Sequence, residues 1–175
     1  MLRSLGTDAS KLLAPEADAI AELRAALAEA AAGDAWRTEA LALLAGSWRD
    51  QVTAAAAIAI TPPSEHPRGD DPLVSALWSA IDSASWVVPQ LVAAALIADR
   101  GFESRAADRL GSPLRRPPKT IGALVRAYNR CPARRMPVVA QLGVHDRTMA
   151  TEEARIGVRG VDGWLDYFAG SSRAS

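Results

Sequence analysis

The chain has 175 residues, and its 20 Lys+Arg are matched by 20 Asp+Glu, so it carries no formal net charge. Hydrophobic residues make up 49% and charged residues 23%, which excludes wholesale disorder and leaves length enough to build a core. A single cysteine, Cys131, excludes a disulfide scaffold, while 12 Gly and 11 Pro exclude collagen-like and low-complexity classes.

Alanine, the strongest helix former, supplies roughly a fifth of the residues. β-branched and aromatic residues are sparse, and no segment alternates apolar with polar. These features predict an all-α protein of about eight to ten short helices, with 1–170 as a single helical domain and 171–175 as a disordered tail. The first helix is expected with Pro15 in its first turn, running to about Ala32 and stopping at Gly33. Ile20, Leu23 and Leu27 form its apolar face. Asp34 can cap a second helix, in which Trp36, Ala40, Leu43 and Leu44 point inward. Ser47, with Asp50 three residues on, forms a capping box for a third helix that is almost wholly apolar from Ala54 to Ile60.

A loop follows from Thr61 to Asp70. Asp71 caps and Pro72 opens a fourth helix, with Leu73, Leu77, Trp78 and Ile81 inward. Ser85 is expected to cap a fifth helix, from Trp86 to about Asp99, with Pro89 in its first turn. Phe102 to Leu110 reads as a sixth. Ile121, Leu124, Val125 and Tyr128 mark a seventh, interrupted by the segment Cys131 to Pro137. Val138 to Leu142 gives one or two helical turns. Two last helices are predicted, Met149 to Ile156 and Val161 to Phe168.

No stretch approaches the ~20 apolar residues of a membrane span, and the first residues lack the apolar core of a signal peptide. The expectation is a cytoplasmic protein without membrane contact. Among the basic residues only Lys11 and Lys119 are lysine. This bias fits a GC-rich, bacterial coding sequence.

Metal, nucleotide and catalytic motifs are thin. Two histidines, His66 and His145, with one cysteine cannot form a usual zinc site, and the adjacent pairs Asp70-Asp71 and Glu152-Glu153 diverge on a helix. No Gly-rich phosphate loop is present. No metal, cofactor or catalytic set is therefore expected. The best reactive constellation is Cys131 flanked by Arg130, Arg134 and Arg135, with His145-Asp146 downstream, because cations lower a thiol pKa. The tryptophans fall near Leu and Val at helical spacing and read as core.

Charge is unevenly spread. Residues 1–99 hold 6 basic and 13 acidic side chains, residues 100–135 hold 10 and 2, and residues 136–175 hold 4 and 5. The basic segment supplies Arg115, Arg116, Lys119, Arg126, Arg130, Arg134 and Arg135 as candidate binding residues. Three readings stay open: it docks an acidic partner or nucleic acid, it pairs with acidic helices of the same chain, or it is a solvated surface.

Ser47-Trp48 and Ser85-Trp86 lie 38 residues apart, and at the same offset Ala55-Ala56-Ala57 matches Ala93-Ala94-Ala95. Pro72 opens a helix. Asp50-Gln51-Val52 is followed by Thr53 where a helical repeat of this kind has Arg, and Val88-Pro89-Gln90-Leu91 departs from that pattern. Residues of about 34–110 thus resemble HEAT-like α-helical repeats. The resemblance implies antiparallel helical hairpins stacked as a small array, the alternative being an irregular bundle. It also implies an extended surface for protein partners. The functional expectation is a small cytoplasmic bacterial interaction module, without catalysis: an adaptor, a regulator or an immunity-type protein. The alternatives are nucleic-acid binding through 100–135, as in HEAT-like DNA-repair glycosylases, and a Cys131-dependent enzyme. The oligomeric state stays open, with an exposed tryptophan one route to self-association.

Overall fold

The computed structural model describes residues 9–30, 35–67, 69–83, 85–112, 116–131 and 149–171. These residues are all-α, with no strand among them. A turn of 3-10 helix, Ala9–Leu12, precedes α1 (Ala17–Ala30), α2 (Ala35–Leu44), α3 (Trp48–Ile60) and α4 (Pro72–Asp82). Then come α5 (Val88–Ala98), α6 (Phe102–Gly111), α7 (Pro118–Arg130) and α8 (Glu152–Ser171).

Local chemistry sets most of these starts. Ser47 caps α3 as the capping box requires: the Asp50 N–H reaches Ser47 Oγ, and the Ser47 N–H donates to the Asp50 carboxylate. The Asp71 carboxylate accepts from the Leu73 N–H at 2.8 Å, and Pro72 follows, where no helical N–H is needed. The predicted inward residues of α2 and α4 are all buried. Fully burying one such Leu or Ile contributes about 1.5–3 kcal/mol.

Three features differ from expectation. α1 begins at Ala17, and Pro15 lies in the turn before it. α5 begins at Val88, not Trp86, and Ser85 Oγ accepts only the Val87 N–H outside the helix. Pro89 sits in the first turn, and the turn ahead of it holds Ser85 and Trp86. The expected break between Ile156 and Val161 is absent, because α8 runs unbroken through Gly157 and Gly160. The proposed stop at Gly33, the Asp34 cap, the turns at Val138 to Leu142 and the tail after Ser171 lie outside the described residues.

α5 is the hub. Leu91, Val92, Ala93, Ala94 and Ala95 are inaccessible, and α3, α4, α7 and α8 pack around them. Small side chains let four helices crowd one. Around it, α2 packs on α3 and α4 on α5, while α2 also lies against α4 and α3 against α5.

α7 and α8 are packed more tightly, and run parallel. Gly122 meets Ala154, Lys119 and Ala123 meet Gly157, and Arg126 and Arg130 reach Asp162 and Asp166. A Cβ at Gly122 would stand 2.2 Å from the Ala154 carbonyl oxygen, and one at Gly157 2.2 Å from that of Lys119. Gly122 in α7 and Gly157 in α8 thus serve close approach, which overrides their weak helix propensity. Finally, Trp164 Nε1 donates to the Leu12 and Leu13 carbonyls and Gln90 Nε2 to that of Leu13, which ties the amino-terminal turn to α8 and α5.

Candidate interaction surface

The described part of the basic segment lies largely against carboxylates of its own chain. Arg105 bridges to Asp99 at 3.0 Å, and Asp99, only 4% exposed, also accepts the Trp78 indole N–H at 2.8 Å. Those donors satisfy a buried charge that would otherwise be costly. Arg109 reaches Asp82 at 2.7 Å while its guanidinium lies 4.2 Å from the Trp78 ring centre. Arg116 reaches the same Asp82 at 3.5 Å and donates to the Arg109 carbonyl at 2.8 Å.

Farther on, Arg126 pairs with Asp162 at 2.7 Å, and Arg130 spans Asp162 and Asp166, each at 2.9 Å. The hydrogen bond that Arg130 donates to Asp166, helped by the charges of both carboxylates, raises the Arg130 pKa above its ordinary value. Partners therefore come from both sides. Asp82 and Asp99 belong to the acidic first part of the chain, whereas Asp162 and Asp166 belong to α8. Exposed pairs of this kind stabilise by about 0–1 kcal/mol each, so their main consequence is neutralisation of the segment's charge.

Lys119 differs from these arginines. It has no carboxylate partner among the described residues; its ammonium sits 4.9 Å from the Trp86 ring centre and donates to the Trp86 carbonyl oxygen. Partial burial lowers its pKa from the ordinary lysine value. Trp86 itself is 82% exposed. This corrects the core reading for that residue: Trp36, Trp78 and Trp164 are buried and Trp48 is half-buried, but Trp86 projects into solvent. The signal was present in the sequence. Pro89 confines the helix start to its own first turn, and the residues three and four beyond Trp86 are Pro89 and Gln90, not an apolar stripe.

The remaining candidates are placed as follows. Cys131 is half-buried at the carboxyl end of α7, its N–H donating to the Tyr128 carbonyl at 3.1 Å. Arg115, Arg134, Arg135 and His145 lie outside the described residues. His66 is half-buried with Nε2 2.9 Å from the Thr61 carbonyl oxygen. Burial lowers its pKa, the Thr61 contact opposes this, and the charge of Arg100 adds to the lowering. Hydrogen bonding from Arg159 lowers the pKa of Glu152 on α8, helped by the charges of Arg159 and Arg155. Among the described residues no group of three or more His, Cys, Asp or Glu could hold a metal ion, and no helix is long and apolar enough to cross a membrane.

Clefts open at the surface of the described residues. One, of about 220 Å³, lies among Leu27, Trp36, Ile60 and Pro62, with Arg24 and Glu65 at its lining. Another lies between α8 and the amino-terminal turn. The class defined by this arrangement is an all-α protein built around a buried central helix. No protein-family model, no curated protein and no solved structure matches the chain.

Proposed function

We propose that this protein is a non-catalytic interaction module, and that its contact point for a protein partner is the edge formed by Trp86 and Lys119. The observation that carries the reading is a tryptophan 82% exposed in the turn before α5. Tryptophan is enriched among the few residues that dominate interface energies, because a large rigid ring buries much area at little entropy cost. Here one side of the ring is already engaged by Lys119, which restricts its orientation before binding. The partner's chemistry follows: an apolar recess for the indole, with a carboxylate at its rim for Lys119.

Pair-on-pair packing of α2–α3 with α4–α5 supports the HEAT-like reading of residues 34–110. Composition supports a bacterial, cytoplasmic setting, and an adaptor, regulator or immunity-type role fits a module of this size. Nucleic-acid binding ranks below it, because Arg116, Arg126 and Arg130 already face Asp82, Asp162 and Asp166. A Cys131-dependent enzyme ranks third.

Affinity capture from native lysate with the wild type, Trp86→Ala and Lys119→Glu tests the proposal. The wild type is expected to retain a discrete protein. Trp86→Ala should weaken that complex by at least about 30-fold, the effect of a ~2 kcal/mol hot spot. Lys119→Glu should weaken it too. A complex untouched by both variants would place the contact elsewhere.

A further inference from the structure

We infer that the groove between α8 and the amino-terminal turn receives a second copy of this chain, through an isologous pairing of two α8 helices. The groove holds about 460 Å³. Leu13 and Pro15 line one side, Ile156, Gly160, Gly163 and Tyr167 the other. Three large hydrophobic residues are exposed among the described ones, and two of them are here: Leu13 at 37% and Ile156 at 43%. The third is Trp86, on a different edge.

Ile156, Gly160, Gly163 and Tyr167 follow a spacing of four, three and four, which aligns them as one stripe along α8. A Cβ at Gly163 would meet nothing within 4 Å, so no described residue covers this position. Glycine weakens a helix interior. Gly157 is explained by the Lys119 carbonyl and Gly160 by Pro89, but among the described residues no neighbour requires the room at Gly163. Close approach of a backbone from a second copy would use it.

Charge selects the occupant. A two-fold axis at Gly163 lays two α8 helices antiparallel, so positions equally far before and after it face one another. Arg159 then comes opposite Tyr167 and its neighbour Asp166 on the other copy. Both groups are exposed; among the described residues Arg159 bonds Glu152 at 2.6 Å and Asp166 bonds Arg130 at 2.9 Å. The symmetry makes this attraction twice. A parallel pairing would set Arg159 against Arg159. The face is smaller than the 20–30 residues per side of a standard interface, so the dimer is expected at micromolar concentrations.

Sedimentation equilibrium of the full chain from about 1 to 100 µM tests this. The expected result is a mass rising from one chain to two. Gly163→Arg, whose side chain has open space in the monomer, should keep the helical circular dichroism and raise the dissociation constant at least about 100-fold. Arg159→Asp and Asp166→Arg should each weaken the dimer about 10-fold, and the double variant should recover it. Trp86→Ala should leave it unchanged, which separates this interface from the partner-binding edge. A monomer throughout the range, or a dimer indifferent to Gly163→Arg, would overturn the inference.

Discussion

The dipeptide Ser-Trp opens two helical regions of this molecule, with opposite results. At Ser47-Trp48 the third residue beyond the serine is Asp50, and its carboxylate completes a reciprocal cap. α3 therefore starts at Trp48, whose ring packs on the core with the Arg49 guanidinium 4.4 Å from its centre. At Ser85-Trp86 the third residue is Val88, which cannot return a hydrogen bond to the serine. The Ser85 hydroxyl instead donates to Gln51 Oε1, α5 begins two residues later, and Trp86 is left outside the helix. One side chain three positions on decides whether a tryptophan serves the core or the surface. Gln51 physically joins the two sites, because its amide also donates to the Leu44 and Gly46 carbonyls.

Removing that junction should have the largest effect on stability. Gln51→Leu strands a buried carbonyl and two further polar groups, at a cost of about 3 kcal/mol. Thermal unfolding should fall by roughly 6–12 °C for a chain of this size. A variant as stable as the wild type would mean the two Ser-Trp sites are not coupled.

Next come the tryptophans themselves. Trp48→Ala should cost about 2 kcal/mol in denaturant unfolding, while Trp86→Ala should stay within about 0.5 kcal/mol of the wild type. Equal losses would erase the distinction between them. Below that, Ser47→Ala should cost about 1 kcal/mol, the usual value for a lost N-cap. Ser85→Ala removes the hydrogen bond to Gln51 Oε1 and the long 3.4 Å one from the Val87 N–H but no helix cap, so about 0.5 kcal/mol is expected.

Much of the fold was legible because the residues that decide it act locally. Ser47 with Asp50, and Asp71 with Pro72, marked their helix starts correctly, and the spacing of Trp36, Ala40, Leu43 and Leu44 gave the buried face of α2. α8 was divided too early because Gly157 and Gly160 weaken a helix on their own. What keeps it whole is the approach of Lys119, Ala123 and Pro89 from elsewhere in the chain, which periodicity does not record. The charge block at 100–135 was visible, but its partners Asp82, Asp99, Asp162 and Asp166 come from α4, the α5–α6 turn and α8. The exposed Trp86 followed from Pro89, a signal outweighed by the resemblance between the two Ser-Trp pairs.

The central claim is that Trp86 is exposed in order to be covered by another protein. It is tested most directly by placing a photo-crosslinking phenylalanine derivative at position 86 in the cells that make the protein. Irradiation should yield one discrete adduct with a second protein, weakened by Lys119→Glu and absent when the probe stands at the exposed Asp108 on α6. No adduct at position 86, or the same adducts from both positions, would contradict it.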